Sequence, residues 1–142
     1  MEGLTDAEIE DRLAAAPLER WAALSGARAA FDAERPHGTW KGGTGDPIQM
    51  PWVDYAPAAE GLVTAIYALG ASAPFDWSAW GGLNRYPHGE GLTEAPVAES
   101  IRMVTAIVRA DRFSEGTKFA FFDDGTFEII LDRLRHWHDE RA

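Results

Sequence analysis

Between Thr93 and Leu134 an apolar stripe runs directly into a charged knot, and few folds accommodate both. Val97, Ile101, Val104 and Val108 recur at i, i+4, i+7 and i+11, the repeat of one helical face. The same run ends in VRADRFSEG, residues 108–116. A helix with that stripe buries one side and delivers arginines and carboxylates at its end. Thr93 is placed to cap this helix, with Pro96 tolerated in its first turn. Ser114 then caps a following helix through Phe122, and Thr126 a last one carrying Phe127, Ile130, Leu131, Leu134 and Trp137. Arg133, Arg135 and Arg141 suit the negative end of that helix dipole.

One stretch reads two ways. KFAFF-DDG-TFEII, residues 118–130, places strand-forming residues on either side of Asp124-Gly125, a strong hairpin turn. The helical reading is preferred because the run from Thr126 to Trp137 continues without a breaker, longer than a usual strand.

Upstream, Thr5 and Glu8 have capping-box spacing, which predicts a helix from Asp6 to Ala15. Pro17 suits a first helical position, and Leu18, Trp21, Leu24, Arg28 and Phe31 predict a second helix to Ala33, ended before Pro36. Residues 36–57 mix glycines and prolines with Trp40, Ile48, Met50, Trp52 and Tyr55, and read as a long ordered loop, a ligand-sized flap. A third helix opens at Ala58 and Ala59, carries Leu62, Val63, Ile66 and Leu69, and closes at Gly70. Asp76 caps a short turn bearing Trp77 and Trp80, and glycines to Gly91 make residues 71–92 a second loop, expected to be the most mobile segment.

The expected architecture is all-α. It is a compact single-domain bundle of about five to six helices over residues 1–142, with N-terminal helices in 1–35, loops at 36–57 and 71–92, and motif-bearing helices in 93–142. At 142 residues a single core needs no metal or disulfide staple. The net charge of -10 repels a phosphate backbone, so nucleic acid is not an expected partner. Absence of cysteine excludes thiolate catalysis and Cys-ligated zinc. The acidic N-terminus is unlike a signal peptide, and nowhere do about 18 apolar residues run together, so a cytoplasmic location without membrane contact is expected.

Several strings are similar to a bacterial family catalogued as domain of unknown function 6508. They are WKGG at residues 40–43, QMPWVDY at 49–55, FDWSAW at 75–80, and TAIVRADRFSEG at 105–116 with the glycine turn and ILDRL that follow. TAxVRxDRFxxG is the most specific of these, supported by the DWxxW pair. The chain departs from the family in carrying two acidic residues, Asp123 and Asp124, before the turn glycine. The resemblance implies a mostly helical single domain and brings no catalytic assignment.

Thr105, Arg109 and Arg112 are spaced by four and three residues, and so are expected along one helical face. Two guanidinium forks there could grip a phosphate or carboxylate, with Asp111 or Glu115 as acid or base. The other reading is an internal ion network tying this helix to the next turn and to the FDWSAW loop. Trp40, Trp52, Tyr55, Trp77 and Trp80 either wall a ligand pocket or weld the two loops onto the helices. His136 and His138 fall on different sides of a helix, and there is no HExxH, so no metal site is expected. KGGTG at residues 41–45 lacks phosphate-loop order, no serine lies in G-x-S-x-G, and no cofactor is indicated.

The leading expectation is a binding or interaction module for a small anionic ligand or a protein partner. The alternative is an enzyme acting on a small anionic substrate. An enzyme needs the arginine face open to a pocket; a binding module needs an exposed apolar patch; an ion network needs neither.

Overall fold

A computed structural model describes residues 3–43 and 50–141. Ile48, Gln49 and the Thr44-Gly45 end of the KGGTG string lie outside them. The chain is mostly helical: α1 (Asp6–Ala15), α2 (Leu18–Ala33), β1 (Gly38–Lys41), β2 (Trp52–Tyr55), α3 (Pro57–Tyr67), the single turns α4 (Trp77–Trp80) and α5 (Gly82–Arg85), α6 (Val97–Asp111), α7 (Thr117–Asp123) and α8 (Thr126–Arg141).

The long helix α6 is the centre, packed against α1, α4, α5, α7 and α8. Its buried residues run nearly all the way round, from Met103 and Val104 to Ala106 and Ile107, as expected of a helix enclosed by others. The single stripe expected from the sequence therefore undercounts it: Val108 is only half-buried, whereas Met103 and Ile107 are fully enclosed. Around α6 the core gathers Leu13, Phe31, Leu62, Ile66, Phe122, Phe127, Ile130 and Leu134.

Local chemistry explains most boundaries. Thr5 and Glu8 form the predicted reciprocal cap of α1. Pro17 is the residue before α2 rather than its first member. Helix α6 begins at Val97, not at Thr93, because the residue before a proline is pushed out of helical backbone. Residues 91–95 instead form a turn in which the Ala95 amide donates to the Gly91 carbonyl. Gly116, at φ 92, takes the capping position expected of Ser114. Thr126 is likewise the first residue of α8 and not its cap; Asp124, which closes α7, satisfies it instead, its Oδ1 accepting from the Thr126 amide at 2.9 Å and from the Thr126 hydroxyl at 2.6 Å.

The fold is not strictly all-α. Residues 36–57 contain a two-stranded antiparallel hairpin pairing Gly38 with Tyr55 and Trp40 with Val53. Its bulky aromatic and β-branched residues favour extended backbone, and the Ala56 amide closes its base on the His37 carbonyl at 2.8 Å. Residues 118–130, where a hairpin was the alternative, are helical on both sides of Gly125. In the second loop the Asp76-capped turn is α4, as expected, and α5 and a 3-10 turn at Pro87–Gly89 add structure beyond it.

Candidate functional site

The charged knot sits where α6 turns into α7, and the hairpin docks onto it. Cross-strand pairing sends Trp40, Val53 and Tyr55 to one face, toward the turn, and Lys41 and Trp52 to the other. On the inner face, the Val53 amide donates to Glu115 Oε1 at 3.2 Å. The Tyr55 hydroxyl donates to Asp111 Oδ1 at 3.0 Å and accepts from the Phe119 amide at 3.1 Å. Asp111 Oδ1 also takes the Lys118 amide at 2.9 Å. The Trp40 ring lies on Gly116, where an added Cβ would come within 2.4 Å of Trp40 Cζ2.

Both carboxylates proposed as acid or base are thus acceptors that hold the hairpin and the α7 entrance in place. Burial, followed by the bond to Asp111, pushes the Tyr55 phenol well above its ordinary range. Lys118 completes the joint, its Nζ 4.2 Å from the Tyr55 ring centroid and 3.2 Å from Glu60 Oε1.

The FDWSAW segment approaches the same helix from another side. Asp76 caps α4 by accepting from the Ala79 amide at 3.3 Å. Trp77 lies 6.4 Å from Phe113 between ring centroids, and Trp80 Nε1 donates to Glu99 Oε2 at 3.1 Å. Both tryptophan-bearing segments therefore meet the α6–α7 turn, Trp40 at Gly116 and Trp77 at Phe113.

Thr105 belongs elsewhere. It is buried, donates to the Ile101 carbonyl at 3.3 Å, and lines a small hollow with Phe75, Ile101 and Arg102. Arg109 is half-buried and Arg112 exposed. Among the described residues neither makes an ion pair or a side-chain hydrogen bond. Large apolar side chains face solvent on the turn and on the hairpin: Phe113 is 83% exposed and Trp40 51%, with Trp52 at 48% on the hairpin's other face and Met50 at 81%.

An ion network does tie α6 to the second loop, but through Glu99 and Arg102, which the sequence reading passed over. Buried Glu99 accepts from Trp80, from Arg85 Nη1 at 3.3 Å, from the Tyr86 hydroxyl at 2.9 Å and from Arg102 Nη1 at 3.0 Å. Arg102 reaches on to Asp6 at 2.6 Å and to the Leu4 carbonyl at 3.0 Å. Burial acts to lower the Arg102 pKa, yet the Asp6 and Glu99 carboxylates outweigh it and the net direction is upward. A glutamate in the first turn of a helix reads as a surface residue favoured by the dipole, which hid its role; the only clue was its position between Val97 and Ile101. Among the described residues no group of three His, Asp or Glu side chains could hold a metal, and no helix is long and apolar enough to cross a membrane.

The family model for DUF6508, a family of unknown function, matches residues 16–140. The chain belongs to that family. No curated protein and no solved structure matches it. Both acids before the turn glycine lie near histidines: Asp124 Oδ2 is 3.1 Å from His88 Nδ1, and Asp123 Oδ1 is 3.5 Å from His37 Nδ1.

Proposed function

We propose that this DUF6508 protein is an interaction module. Its recognition surface is the α6–α7 turn with the docked hairpin, and its partner is a protein segment carrying acidic and large apolar side chains. The observation that carries this reading is Phe113, exposed between Arg112 and the start of α7, with Trp77 6.4 Å away between ring centroids and the half-exposed Trp40 on Gly116 of the same turn. Exposed apolar residues gathered beside unpaired guanidinium groups suit partners of that composition, since aromatics and arginine supply most binding energy at protein interfaces.

The enzyme reading has less support. Asp111 and Glu115 are occupied as backbone acceptors, and four hollows on the described surface are lined by other parts of the chain than Arg109 and Arg112.

A panel of peptides pairing Asp or Glu with Leu, Phe or Trp, titrated while Trp fluorescence is followed, tests the proposal. Binding is expected for acidic-apolar peptides and not for their Lys-substituted counterparts. Phe113→Ala, or Arg109→Glu with Arg112→Glu, should weaken it about tenfold or more. Equal affinity in wild type and all variants would refute the surface. A thermal shift with phosphorylated metabolites but none with peptides would favour the small-ligand reading.

A further inference from the structure

A second site lies on the opposite side of the sequence, between α2 and α8. There Trp21, Leu24 and Leu131 floor a hollow of about 240 Å³, walled by Leu18 and Ala22 and rimmed by Ser25, Arg28, Arg135, His138 and Asp139. The spacing builds it: Leu18, Trp21, Ala22, Ser25 and Arg28 form one face of α2, and Leu131, Arg135 and His138 one face of α8. His138 stacks on Trp21 at 4.1 Å between ring centroids and an interplanar angle of 8°, so the imidazole covers one face of the indole and gives the groove a flat aromatic wall. Leu18, at the rim, is 75% exposed. An apolar floor with a few convergent polar groups is the ordinary make-up of a small-molecule site, and spaces between bundle helices are a common place for one.

Charge narrows the ligand. Arg28 is already matched by Asp32 at 3.6 Å and by Asp132. Arg135 and Asp139, one turn apart on α8, form no ion pair with each other or with another described residue. The available cation is therefore Arg135, and Asp139 opposes any second negative charge. Arg28 is outnumbered by its carboxylates, so the rim is net negative away from Arg135; that disfavours a phosphate or a dicarboxylate and leaves a place for a single carboxylate on Arg135 itself. We propose that the groove between α2 and α8 binds a small planar aromatic monocarboxylate, with its ring against Trp21, Leu24 and Leu131 and its carboxylate on Arg135.

Calorimetric titration and methyl NMR of the full chain with indole-3-acetate test this. Shifts are expected at Leu24 and Leu131, and at no residue of the hairpin. Arg135→Glu should lower affinity by about tenfold or more, the usual loss for a hydrogen bond to a charged group. Ala22→Phe, from an exposed helical position, should fill the groove and abolish binding while far-UV circular dichroism stays unchanged. Arg112→Glu should leave binding intact, which separates this site from the proposed protein-binding surface.

Tryptophan distinguishes the source of the ring. Affinity equal to or above that of indole-3-acetate identifies an aromatic amino acid whose ammonium meets Asp139; weaker affinity identifies a free aromatic acid. Tryptamine binding more tightly than either carboxylate overturns the proposal. So does a titration without heat or shifts, or binding that survives both Ala22→Phe and Arg135→Glu.

Discussion

Glu99 sets one buried carboxylate against Trp80, Arg85, Tyr86 and Arg102, and so fastens α4 and α5 to α6. Removing it strands several donors at once. Glu99→Leu should therefore cost about 3 kcal/mol, the low end for breaking a buried pair, because Arg102 keeps Asp6 and Arg85 keeps water. Urea unfolding measures it, and a loss within about 0.5 kcal/mol would mean the network is incidental. The phenols Tyr55 and Tyr86 carry a pH signature. Burial and a carboxylate partner raise both pKa values, so the folded state keeps these protons where the unfolded chain releases them. Their contribution is complete below about pH 10 and is lost as pH rises above it. Stability should fall between about pH 10 and 11, and Tyr55→Phe with Tyr86→Phe should flatten that fall in denaturant midpoints taken across the range. At this scale the Thr5 cap was legible because its hydrogen bonds are local. Glu99 was not, since its donors lie up to 19 residues away in sequence.

The elements most open to misreading were the two that combine aromatic residues with a glycine turn. Residues 118–130 remain helical because Asp124 satisfies the Thr126 amide at the start of α8 and Gly125, at φ 92, lets the chain turn between two helices. The hairpin at 38–55 was hidden because each strand has only four residues, too few for alternation to stand out. What makes it a hairpin is tertiary: Glu115, Asp111 and Gly116 receive Val53, Tyr55 and Trp40. Welding of the loop aromatics onto the helices was one of two readings the sequence left open; the engagement of Asp111 and Glu115 by the hairpin was not legible, because its donors lie about 60 residues upstream. Two glycines of identical φ separate backbone from packing. Gly125→Ala meets nothing within 4 Å and should cost only about 1 kcal/mol of left-handed strain. Gly116→Ala also drives a methyl into Trp40 and should cost about 1–3 kcal/mol more. Calorimetric melting of the two variants checks this, and equal losses would mean that Trp40 is free to swing away.

For the molecule as a whole, the relation of α1 to the rest is decisive, since the family match begins at residue 16 and leaves this helix outside. Its packing argues that it belongs to the core. Ile9 and Leu13 are buried against the central cluster, and α1 lies along α6. Three polar links add to this: Arg102 to Asp6 and to the Leu4 carbonyl, Trp137 Nε1 to Glu10 at 3.4 Å, and Arg141 to Glu10 at 3.6 Å. Burial of the two apolar side chains alone is worth about 3–6 kcal/mol, a large share of the 5–15 kcal/mol that typically holds a domain together. Deleting residues 1–15 should therefore lower the melting temperature by more than about 10 °C, and should leave Arg102 with one carboxylate in place of two. Restoring the helix as a separate peptide of residues 1–16 should recover part of the loss in proportion to peptide concentration. A truncated chain that melts with the full-length protein would show that α1 is an appendage, and that α6 is covered well enough by the segments within the family match.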